Sequence, residues 1–306
     1  MKAVRFDNYG GAEVLEVREV DDPVAGPGEV LVAVRAASIN PGEIAIREGF
    51  LDARWPATFP SGEGTDFAGI VDAIGDGVEE FEIGDEVIGW TEMRASHAEL
   101  VVAPVEQVVS KPAGISWEVA GSLFVAPMAA YASVEAVDLK PDEVVVISAA
   151  GGGVGSIAVQ LAHRKGATVV GLASERNHQW LRDHGAIAVT YGDGQVERIK
   201  QAAGERIDAF IDTFGGGYVE LAVNELGVPP QRINTIADFE AVERFGVSAQ
   251  GTHAIATREI LSELAAMVAE GDLEIPIAKT YPLSDVREAF AELAKRDTHG
   301  KIVLLP

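Results

Sequence analysis

Cysteine is absent from this chain of 306 residues. Without cysteine the protein cannot form disulfides, use a thiolate in catalysis, or hold zinc or iron–sulfur clusters through sulfur. The six histidines lack the spacing of metal ligands, and none has an obvious orienting carboxylate. We therefore expect no metal site, and the absence of disulfides fits a cytoplasmic protein.

Basic residues are scarce, with 24 Lys and Arg against 48 Asp and Glu and a net charge of −24 at pH 7. Such a charge argues against nucleic acid or an anionic membrane as the partner. A phosphate-bearing ligand must then be held locally, by a helix N-terminus or a few basic side chains. The sequence has no uninterrupted run of about 18 apolar residues and no apolar core at its N-terminus, so neither a membrane span nor a signal peptide is expected.

Two kinds of pattern divide the chain. The first 120 residues contain short apolar stretches between Gly- and Pro-containing turns, which predicts a compact, barrel-like β domain. From Ser116 onwards, apolar strands alternate with helical segments of about ten residues, which is typical of parallel βαβ units. Two amphipathic helices, Thr257–Glu270 and Val286–Lys295, and a last strand, Lys301–Leu305, form a tail that we expect to pack on the first domain. The predicted fold class is α/β.

A glycine-rich turn after the strand Val144–Ile147 is the most informative segment. It precedes a helix, and in that setting a glycine cluster indicates a dinucleotide site. The spacing Ala149-x-x-Gly152-x-x-Gly155 is a variant of the dinucleotide fingerprint. Gly152 would let the backbone approach a diphosphate, and Gly155 would let the helix pack against the strand. A tight turn without a ligand is the alternative. The predicted diphosphate contacts are Ala150, Gly152, Gly153, Val154 and Gly155.

The end of the second strand of this region distinguishes NADP from NAD. In NAD-binding proteins an acidic residue about 20 positions after the glycine turn binds the ribose 2′-hydroxyl. Ser174 occupies that place here, which leaves room for a 2′-phosphate that Arg176 can pair with, and Asn177 follows. The pattern favours NADPH. A shift of one residue would instead bring Glu175 to the ribose, and an ordinary helix cap at Ser174 is a further alternative.

With these segments the sequence resembles the medium-chain dehydrogenase/reductase superfamily, and within it the zinc-free quinone oxidoreductase (zeta-crystallin-like) branch, over essentially its whole length. The resemblance is carried by the order and spacing of Ala37–Pro41, Gly64–Gly69, Gly84–Val87, Ala149–Gly155, Ser174–Asn177, Asp212–Gly216 and Gly300–Leu304. It implies a GroES-like β-rich catalytic domain, residues 1–121 and 256–306, that is interrupted by a doubly wound Rossmann domain, residues 122–255. The active site would lie in the cleft between the two.

The positions at which zinc-dependent members of the superfamily carry ligands are altered in this chain. Their cysteine precedes the position equivalent to Asn40, and their histidine corresponds to Thr65. The resemblance therefore implies a reaction without zinc. A Tyr and a Thr that are common in the quinone reductase branch are replaced by Ala45 and Ala129, which removes two hydroxyls expected near the nicotinamide.

The resemblance also implies roles for individual residues. Asn40 would be the polar group beside the nicotinamide and the substrate carbonyl, and a turn residue before Pro41 is its alternative role. The further cofactor contacts are Tyr191 near the 2′-phosphate, Phe214 near the ribose, Ile236 and Ala237 at the carboxamide, and Lys301. For the two aromatic residues a place in the core is the alternative, and for Lys301 a solvated strand end.

The expected reaction is hydride transfer from NADPH to a quinone or another conjugated carbonyl compound such as an enone. Water would supply the proton, because no dedicated general acid is evident. Reduction of a 2-enoyl thioester is an alternative, and a non-catalytic NADPH-binding protein of crystallin or sensor type is another. A homodimer is expected from the resemblance, with an edge strand in Val219–Thr235 pairing between copies.

Overall fold

The computed structural model describes residues 1–204 and 206–306. They form two compact units: Met1–Val125 with Thr257–Pro306, and Ala126–Ala256. The sequence predicts these divisions at residues 121/122 and 255/256. Among the described residues, every helix is too short or too polar to span a bilayer.

The strands, in chain order, are β1 Lys2–Arg5, β2 Glu16–Glu19, β3 Glu29–Ser38, β4 Asp66–Ile74, β5 Glu86–Trp90, β6 Leu100–Pro104, β7 Val108–Ser110, β8 Val144–Ile147, β9 Thr168–Leu172, β10 Ala186–Val189, β11 Ala209–Asp212, β12 Ile233–Thr235, β13 Ile277–Pro282 and β14 Lys301–Leu305. The α-helices are α1 Pro41–Arg47, α2 Trp117–Ala120, α3 Val125–Ala136, α4 Gly153–Arg164, α5 His178–Asp183, α6 Gln195–Ala203, α7 Tyr218–Asn224, α8 Phe239–Phe245, α9 Arg258–Ala269 and α10 Val286–Ala294.

The first unit is built around the long strand β3, which pairs antiparallel with β4, β6 and β14. The larger sheet has the order β13-β14-β3-β4-β5-β7, with β6 also on β3, and β1 pairs with β2 separately. Along β3, Val30, Val32 and Val34 are buried in one apolar cluster with Phe67 of β4. Side chains alternate between the two faces of a strand, so this spacing of two places the valines on the same side.

The C-terminal tail completes the first unit. Strand β14 pairs with the end of β3, with Val303 opposite Ser38 and Leu304 opposite Ala37. Helix α10 buries Phe290 in a cluster that also contains Phe6. The tail therefore supplies part of the first unit's core, as its apolar periodicity predicts.

The second unit is a five-stranded parallel sheet of order β10-β9-β8-β11-β12. The first strand in the chain, β8, is central, and the chain winds outward to one side through β9 and β10 before it crosses to β11 and β12. This is the doubly wound arrangement, in which ligands bind at the carboxyl ends of the strands where the winding direction reverses. The predicted α/β class, with a GroES-like unit and a Rossmann-type parallel sheet, is confirmed.

Two predicted elements differ from the observed ones. The Ala-rich composition and helical spacing of Ser116–Val137 predict a helical stretch there. The structure splits it into α2 and α3, because Gly121 ends α2 and packs against the backbone of β3. A Cβ atom on Gly121 would lie 2.5 Å from the carbonyl oxygen of Ala36, so only glycine permits this approach. The sequence also predicts a short strand at Ala188–Tyr191. The observed strand β10 spans Ala186–Val189, the residues in register with β9.

The segment Val219–Thr235 holds most of α7 and one short strand, β12, rather than several strands. The outer edge of β12 is already bonded: the amide of Thr235 donates to Ser248 O at 3.0 Å, and the amide of Ser248 donates to Ile233 O at 3.0 Å. The edge that was expected to pair between copies is thus occupied by the protein's own backbone. The homodimer itself stays a prediction.

Candidate active site

The glycine turn of the second unit joins β8 to α4, and hydrogen bonds from two of its backbone amides hold it in place. The amide of Ala150 donates to Leu172 O at 2.8 Å, and the amide of Gly152 donates to Ala149 O at 2.8 Å. Ala149 itself has a positive φ of 45°. The two amides at Ala150 and Gly152 are therefore unavailable to a diphosphate, so any contact of these two residues with a cofactor would use other atoms.

The first three amides of α4, unlike those of Ala150 and Gly152, are not bonded to the protein's own carbonyls in the part of the chain that the structure describes. Those of Gly153, Val154 and Gly155 have no acceptor among residues 1–204 and 206–306, and Gly152 caps the helix without a side chain. Free amides and the helix dipole give this end of α4 a partial positive charge. Three converging donors with no acceptor of their own fit the oxygens of a nucleotide diphosphate.

Two glycines in the turn have different roles. A Cβ atom on Gly155 would lie 2.2 Å from Ala149 O and 2.8 Å from the Cα of Ala150, so Gly155 permits α4 to pack against the turn. A Cβ atom on Gly152 would meet only Ala149 O, at 3.2 Å, and its other side is open. These contacts agree with the roles expected of the second and third fingerprint glycines.

The segment Ser174–Asn177 lies beside this turn. A single 3-10 turn, Glu175–Asn177, follows Ser174, and the amide of Asn177 donates to Ser174 O at 2.9 Å. The Nδ2 atom of Asn177 would be 2.3 Å from a Cβ atom on Gly151, so its side chain covers the turn. Glu175 and Arg176 are exposed, and Ser174 and Asn177 are half-buried. The structure thus brings three of the residues predicted to bind the 2′-phosphate side, Ser174, Arg176 and Asn177, into one edge of the second unit.

Asp212, at the end of β11, joins three loops and was not recognised as a site residue from the sequence. It is fully buried and accepts hydrogen bonds from Ser148 Oγ at 2.7 Å and from Thr235 Oγ1 at 2.8 Å. The amides of Phe214 and Gly215 also donate to it, each at 3.0 Å. A carboxylate at the end of a buried strand, followed by glycines, is the sequence signal that could have identified it.

The remaining predicted contacts of the second unit lie at or near the carboxyl ends of its strands. Phe214 follows β11, is half-buried, and packs edge-on against Tyr218 with 6.1 Å between ring centroids. Ile236 and Ala237 follow β12, half-buried and exposed respectively. Tyr191 is 50% exposed, so the core alternative for this residue is wrong.

Asn40 lies in the first unit, where it begins α1. It is 3% exposed, and its Nδ2 group donates to Asp66 Oδ2 at 2.7 Å and to Glu43 Oε1 at 3.2 Å. Its Oδ1 atom accepts from Lys301 Nζ. Both amide protons are therefore used within the first unit. Neither proton is free for a substrate carbonyl, and Asn40 precedes Pro41 as part of a buried polar cluster. Its place beside the nicotinamide and the substrate carbonyl stays a prediction.

Lys301 is 4% exposed and is not a solvated strand end. Its ammonium donates to Ile39 O at 3.1 Å as well as to Asn40 Oδ1. Desolvation lowers the pKa of Lys301, while the charges of Asp66 and Glu43 oppose that shift. The observed partners all belong to the first unit, and a contact between Lys301 and a cofactor stays a prediction.

The carboxyl of Glu43 is bonded to Asn40 alone. Both of its oxygens accept from Asn40, one from the backbone amide at 2.9 Å and one from the side chain, and no cation lies within ion-pair distance of it among the described residues. Burial, followed by the nearby charge of Glu63, raises the pKa of Glu43 to about 8. The pKa of Glu43 therefore lies well above the ordinary value of 4.5, which the sequence alone did not indicate.

A buried ion pair and a buried imidazole lie next to this cluster. Arg47 and Glu63 pair at 2.7 Å, with side chains 1% and 3% exposed. Burial raises the pKa of Glu63 to about 7, although Arg47 opposes the shift. His97 contacts Ser38 O through Nε2 at 3.2 Å, and burial lowers the pKa of His97 to about 4. An uncharged His97 cannot serve as the general acid at neutral pH.

Within the described residues, no group of three or more His, Cys, Asp or Glu side chains is arranged to hold a metal ion. In the two regions where zinc-dependent members carry ligands, this chain has Ser38-Ile39-Asn40 and Thr65. Glu43 and Asp66 both accept hydrogen bonds from Asn40. Ala45 is half-buried in α1, and Ala129 is buried in α3.

Known protein families match most of the chain. Residues 26–140 match the model described as alcohol dehydrogenase GroES-like domain, and residues 184–304 match the model described as zinc-binding dehydrogenase. The chain is 30% identical over 330 residues to a quinone oxidoreductase of Pseudomonas aeruginosa, with 100% of this chain and 99% of that protein covered. Quinone oxidoreductase 1 of Escherichia coli is 28% identical, with 99% of each covered.

Solved structures agree with these matches. The structure of the quinone oxidoreductase from Coxiella burnetii superposes with a TM-score of 0.90 at 31% identity, covering 100% of this chain and 99% of that one. The Escherichia coli quinone oxidoreductase complexed with NADPH superposes with a TM-score of 0.88 at 27% identity, covering 100% of both chains. The similarity extends through both units and over the full length of these relatives.

Proposed function

The chain belongs to the quinone oxidoreductase branch of the medium-chain dehydrogenase/reductase superfamily, and we propose from this that it is an NADPH-dependent enzyme that reduces a quinone or another conjugated carbonyl compound. The observation that carries the proposal is a set of three amides, at Gly153, Val154 and Gly155, that have no acceptor in the part of the chain that the structure describes. They lie at the carboxyl edge of a parallel sheet, next to the reversal of its winding, where nucleotides bind in such folds.

The residues of the second unit divide the task of holding the cofactor. The three free amides of α4 bind the diphosphate, and Gly152 leaves the space in which it approaches. Ser174, Arg176 and Asn177 bind the 2′-phosphate end, where Arg176 supplies a positive charge. When bound, NADPH would supply the hydride for the reaction. The loops after β11 and β12, which contain Phe214, Ile236 and Ala237, contact the nicotinamide end of the cofactor.

The first unit contributes an ordered polar cluster rather than a metal. We propose that the reaction proceeds without zinc, although one matching family model is described as zinc-binding. The chain has no cysteine, and the histidine of zinc-dependent members is replaced by Thr65. Any contact of Asn40 with a ligand would use the remaining lone pair of Oδ1, since its protons are taken. Asn40 is therefore an acceptor, and the proton for the reduced product comes from water.

A binding titration of NADPH and NADH, repeated with Arg176→Ala, tests the cofactor assignment. Loss of a charge-assisted contact to the 2′-phosphate weakens NADPH binding by about 1–3 kcal/mol and leaves NADH binding unchanged. The matched control is Arg182→Ala, at an exposed arginine of α5, the helix that follows Asn177. Equal affinity of the wild-type protein for the two nucleotides would contradict the assignment to NADPH.

NADPH consumption with 9,10-phenanthrenequinone and with simple enones tests the reaction. We expect turnover with at least one of these acceptors, and the same rate after dialysis against a metal chelator. Loss of activity in the chelator that zinc restores would contradict the zinc-free mechanism. Tight NADPH binding with no turnover of any acceptor, including 2-enoyl thioesters, would favour a non-catalytic binding protein.

The homodimer is retained as part of the proposal, on the resemblance to the family. Because the outer edge of β12 is bonded to Ser248, pairing of two sheets there would have to use the segment around Ser248. Light scattering after gel filtration would measure the mass, and a monomer across the concentration range of the assay would refute the dimer.

A further inference from the structure

The carboxylate of Asp212 has an unusual set of partners. It is 0% exposed, and among the described residues no Lys, Arg or His lies within ion-pair distance of it. Its charge is instead surrounded by hydrogen-bond donors: two hydroxyls, on Ser148 and Thr235, and two backbone amides, on Phe214 and Gly215. Burying a carboxylate without a partner costs free energy. The four hydrogen-bond donors offset that cost and hold the carboxylate in place.

The four donors lie at the carboxyl ends of three strands, β8, β11 and β12. Ser148 is the first residue after β8, and its Oγ atom also accepts from the amide of Thr213 at 2.9 Å. Thr235 is the last residue of β12, and its Oγ1 atom accepts from the amides of Ala237 at 3.2 Å and Asp238 at 3.0 Å. One carboxylate therefore connects the loops that leave β8, β11 and β12 at the same edge of the sheet.

The backbone of Asp212 adds a further tie. Its carbonyl oxygen accepts from the amide of Ile236 at 3.0 Å. The residues fixed in this way include Phe214, Ile236 and Ala237, which are the candidates for the nicotinamide end of the cofactor. The free amides of α4 and the segment Ser174–Asn177 are not among its partners.

We infer that Asp212 is a positioning residue for the nicotinamide end of the cofactor, acting through the loops after β11 and β12 and leaving the adenosine end to other residues. The inference rests on the proposed NADPH-dependent function. It follows from the geometry because only an acceptor of two oxygens can hold all four donors, two of which are backbone amides that cannot reverse their role. Hydride transfer is sensitive to small displacements, so loosening these loops would slow the reaction more than it weakens binding.

The decisive variant is Asp212→Asn, which keeps the shape and replaces one acceptor oxygen with a donor. We expect kcat for NADPH oxidation to fall at least about tenfold, as a displacement of the reacting groups would cause. Binding of adenosine 2′,5′-bisphosphate, which lacks the nicotinamide, should be unchanged. The matched control is Asp208→Asn, just before the opposite end of the same strand, where the carboxylate accepts from the amide of Val144 at 2.8 Å. This control should keep the wild-type kcat.

A second variant guards against a failure of Asp212→Asn to fold. Thr235→Val keeps the side-chain shape, removes one donor to Asp212 and frees the amides of Ala237 and Asp238. It should lower kcat in the same direction, without changing the affinity for adenosine 2′,5′-bisphosphate. A wild-type kcat in both variants, or equal losses of kcat and of fragment affinity, would overturn the inference.

A failure of the proposed function can be distinguished from a failure of the positioning role of Asp212. If the wild-type protein reduces no acceptor, the proposed reaction is wrong, and the inference is then tested by the ratio of the affinities for NADPH and for adenosine 2′,5′-bisphosphate. Asp212→Asn should lower that ratio, and an unchanged ratio would overturn the positioning role.

Discussion

The ammonium of Lys301 donates a hydrogen bond to the side-chain oxygen of Asn40 inside the first unit. An ammonium has donors only, so the oxygen end of the amide must face it. The nitrogen end then faces the carboxyls of Asp66 and Glu43. A positive charge at one end and carboxyls at the other hold the amide in a single orientation.

The substitution Asn40→Asp should therefore destabilise the protein strongly. It would replace a donor with a third carboxyl beside Asp66 and Glu43, which removes two hydrogen bonds and adds repulsion in a buried place. We expect the free energy of unfolding to fall by about 3 kcal/mol or more, as for broken buried charge networks. Urea denaturation measures it. The control is Asn8→Asp at an exposed asparagine, with a change of about 0.5 kcal/mol at most. Equal urea midpoints for Asn40→Asp and the wild type would show that the network contributes nothing.

The stability of the protein should fall as pH rises through the range in which Glu43 titrates. Its pKa is raised to about 8 in the folded protein, from an ordinary value of 4.5. The folded state thus binds a proton that the unfolded state has lost, and stability from this group is complete below pH 4.5 and lost by about pH 8. Glu63, with a pKa raised to about 7, adds to the loss in the same direction.

Glu43→Gln tests this dependence, because glutamine cannot ionise. Denaturation midpoints at pH 6.5 and pH 8.5 should differ less in the variant than in the wild type. His97 does not interfere: its pKa is lowered to about 4, so it affects stability as the pH falls below its ordinary value of 6.5. An identical pH dependence of the two proteins would mean that Glu43 is already ionised in the folded state.

Gly155→Ala and Gly152→Ala should separate packing from binding. The added Cβ atom at position 155 would lie 2.2 Å from Ala149 O, whereas at position 152 it would meet that oxygen at 3.2 Å. We expect Gly155→Ala to lower the free energy of unfolding by about 1–3 kcal/mol, as overpacking does. Gly152→Ala should leave thermal stability near that of the wild type and weaken NADPH binding. Similar losses of stability in the two variants would contradict the distinction.

Added salt should stabilise the protein. A net charge of −24 repels itself in the compact state, and the Debye length shortens from about 10 Å at 0.1 M to about 3 Å at 1 M salt. The Tm should therefore be higher in 1 M KCl than in 0.1 M KCl. A variant in which exposed Glu79 and Glu82 are replaced by Lys should gain less from the same salt step. A Tm that does not depend on KCl would exclude repulsion as a significant destabilising term.

The fold of the second unit could be predicted because its signals are local. Strand β8 is a continuous apolar run of four residues, and β11 has three apolar residues before Asp212, as expected of strands buried on both faces. Strand β10 was displaced by two residues because its exact length depends on its register with β9, which is a non-local pairing. The split between α2 and α3 depends on the contact of Gly121 with Ala36, which no helical periodicity reveals.

The sequence by itself determined that this protein has no cysteine chemistry, an acidic surface and a glycine turn between a buried strand and a helix. Only the tertiary structure decided which amides of that turn are free, since Leu172, the partner of Ala150, comes from the next strand. It also brought Asn40, Asp66 and Lys301 together and buried Glu43 beside them, which set the hydrogen-bond partners of Asn40 and raised the pKa of Glu43. Hydrogen-bond partners and desolvation depend on residues distant in the chain, whereas composition and the strand–turn–helix pattern do not.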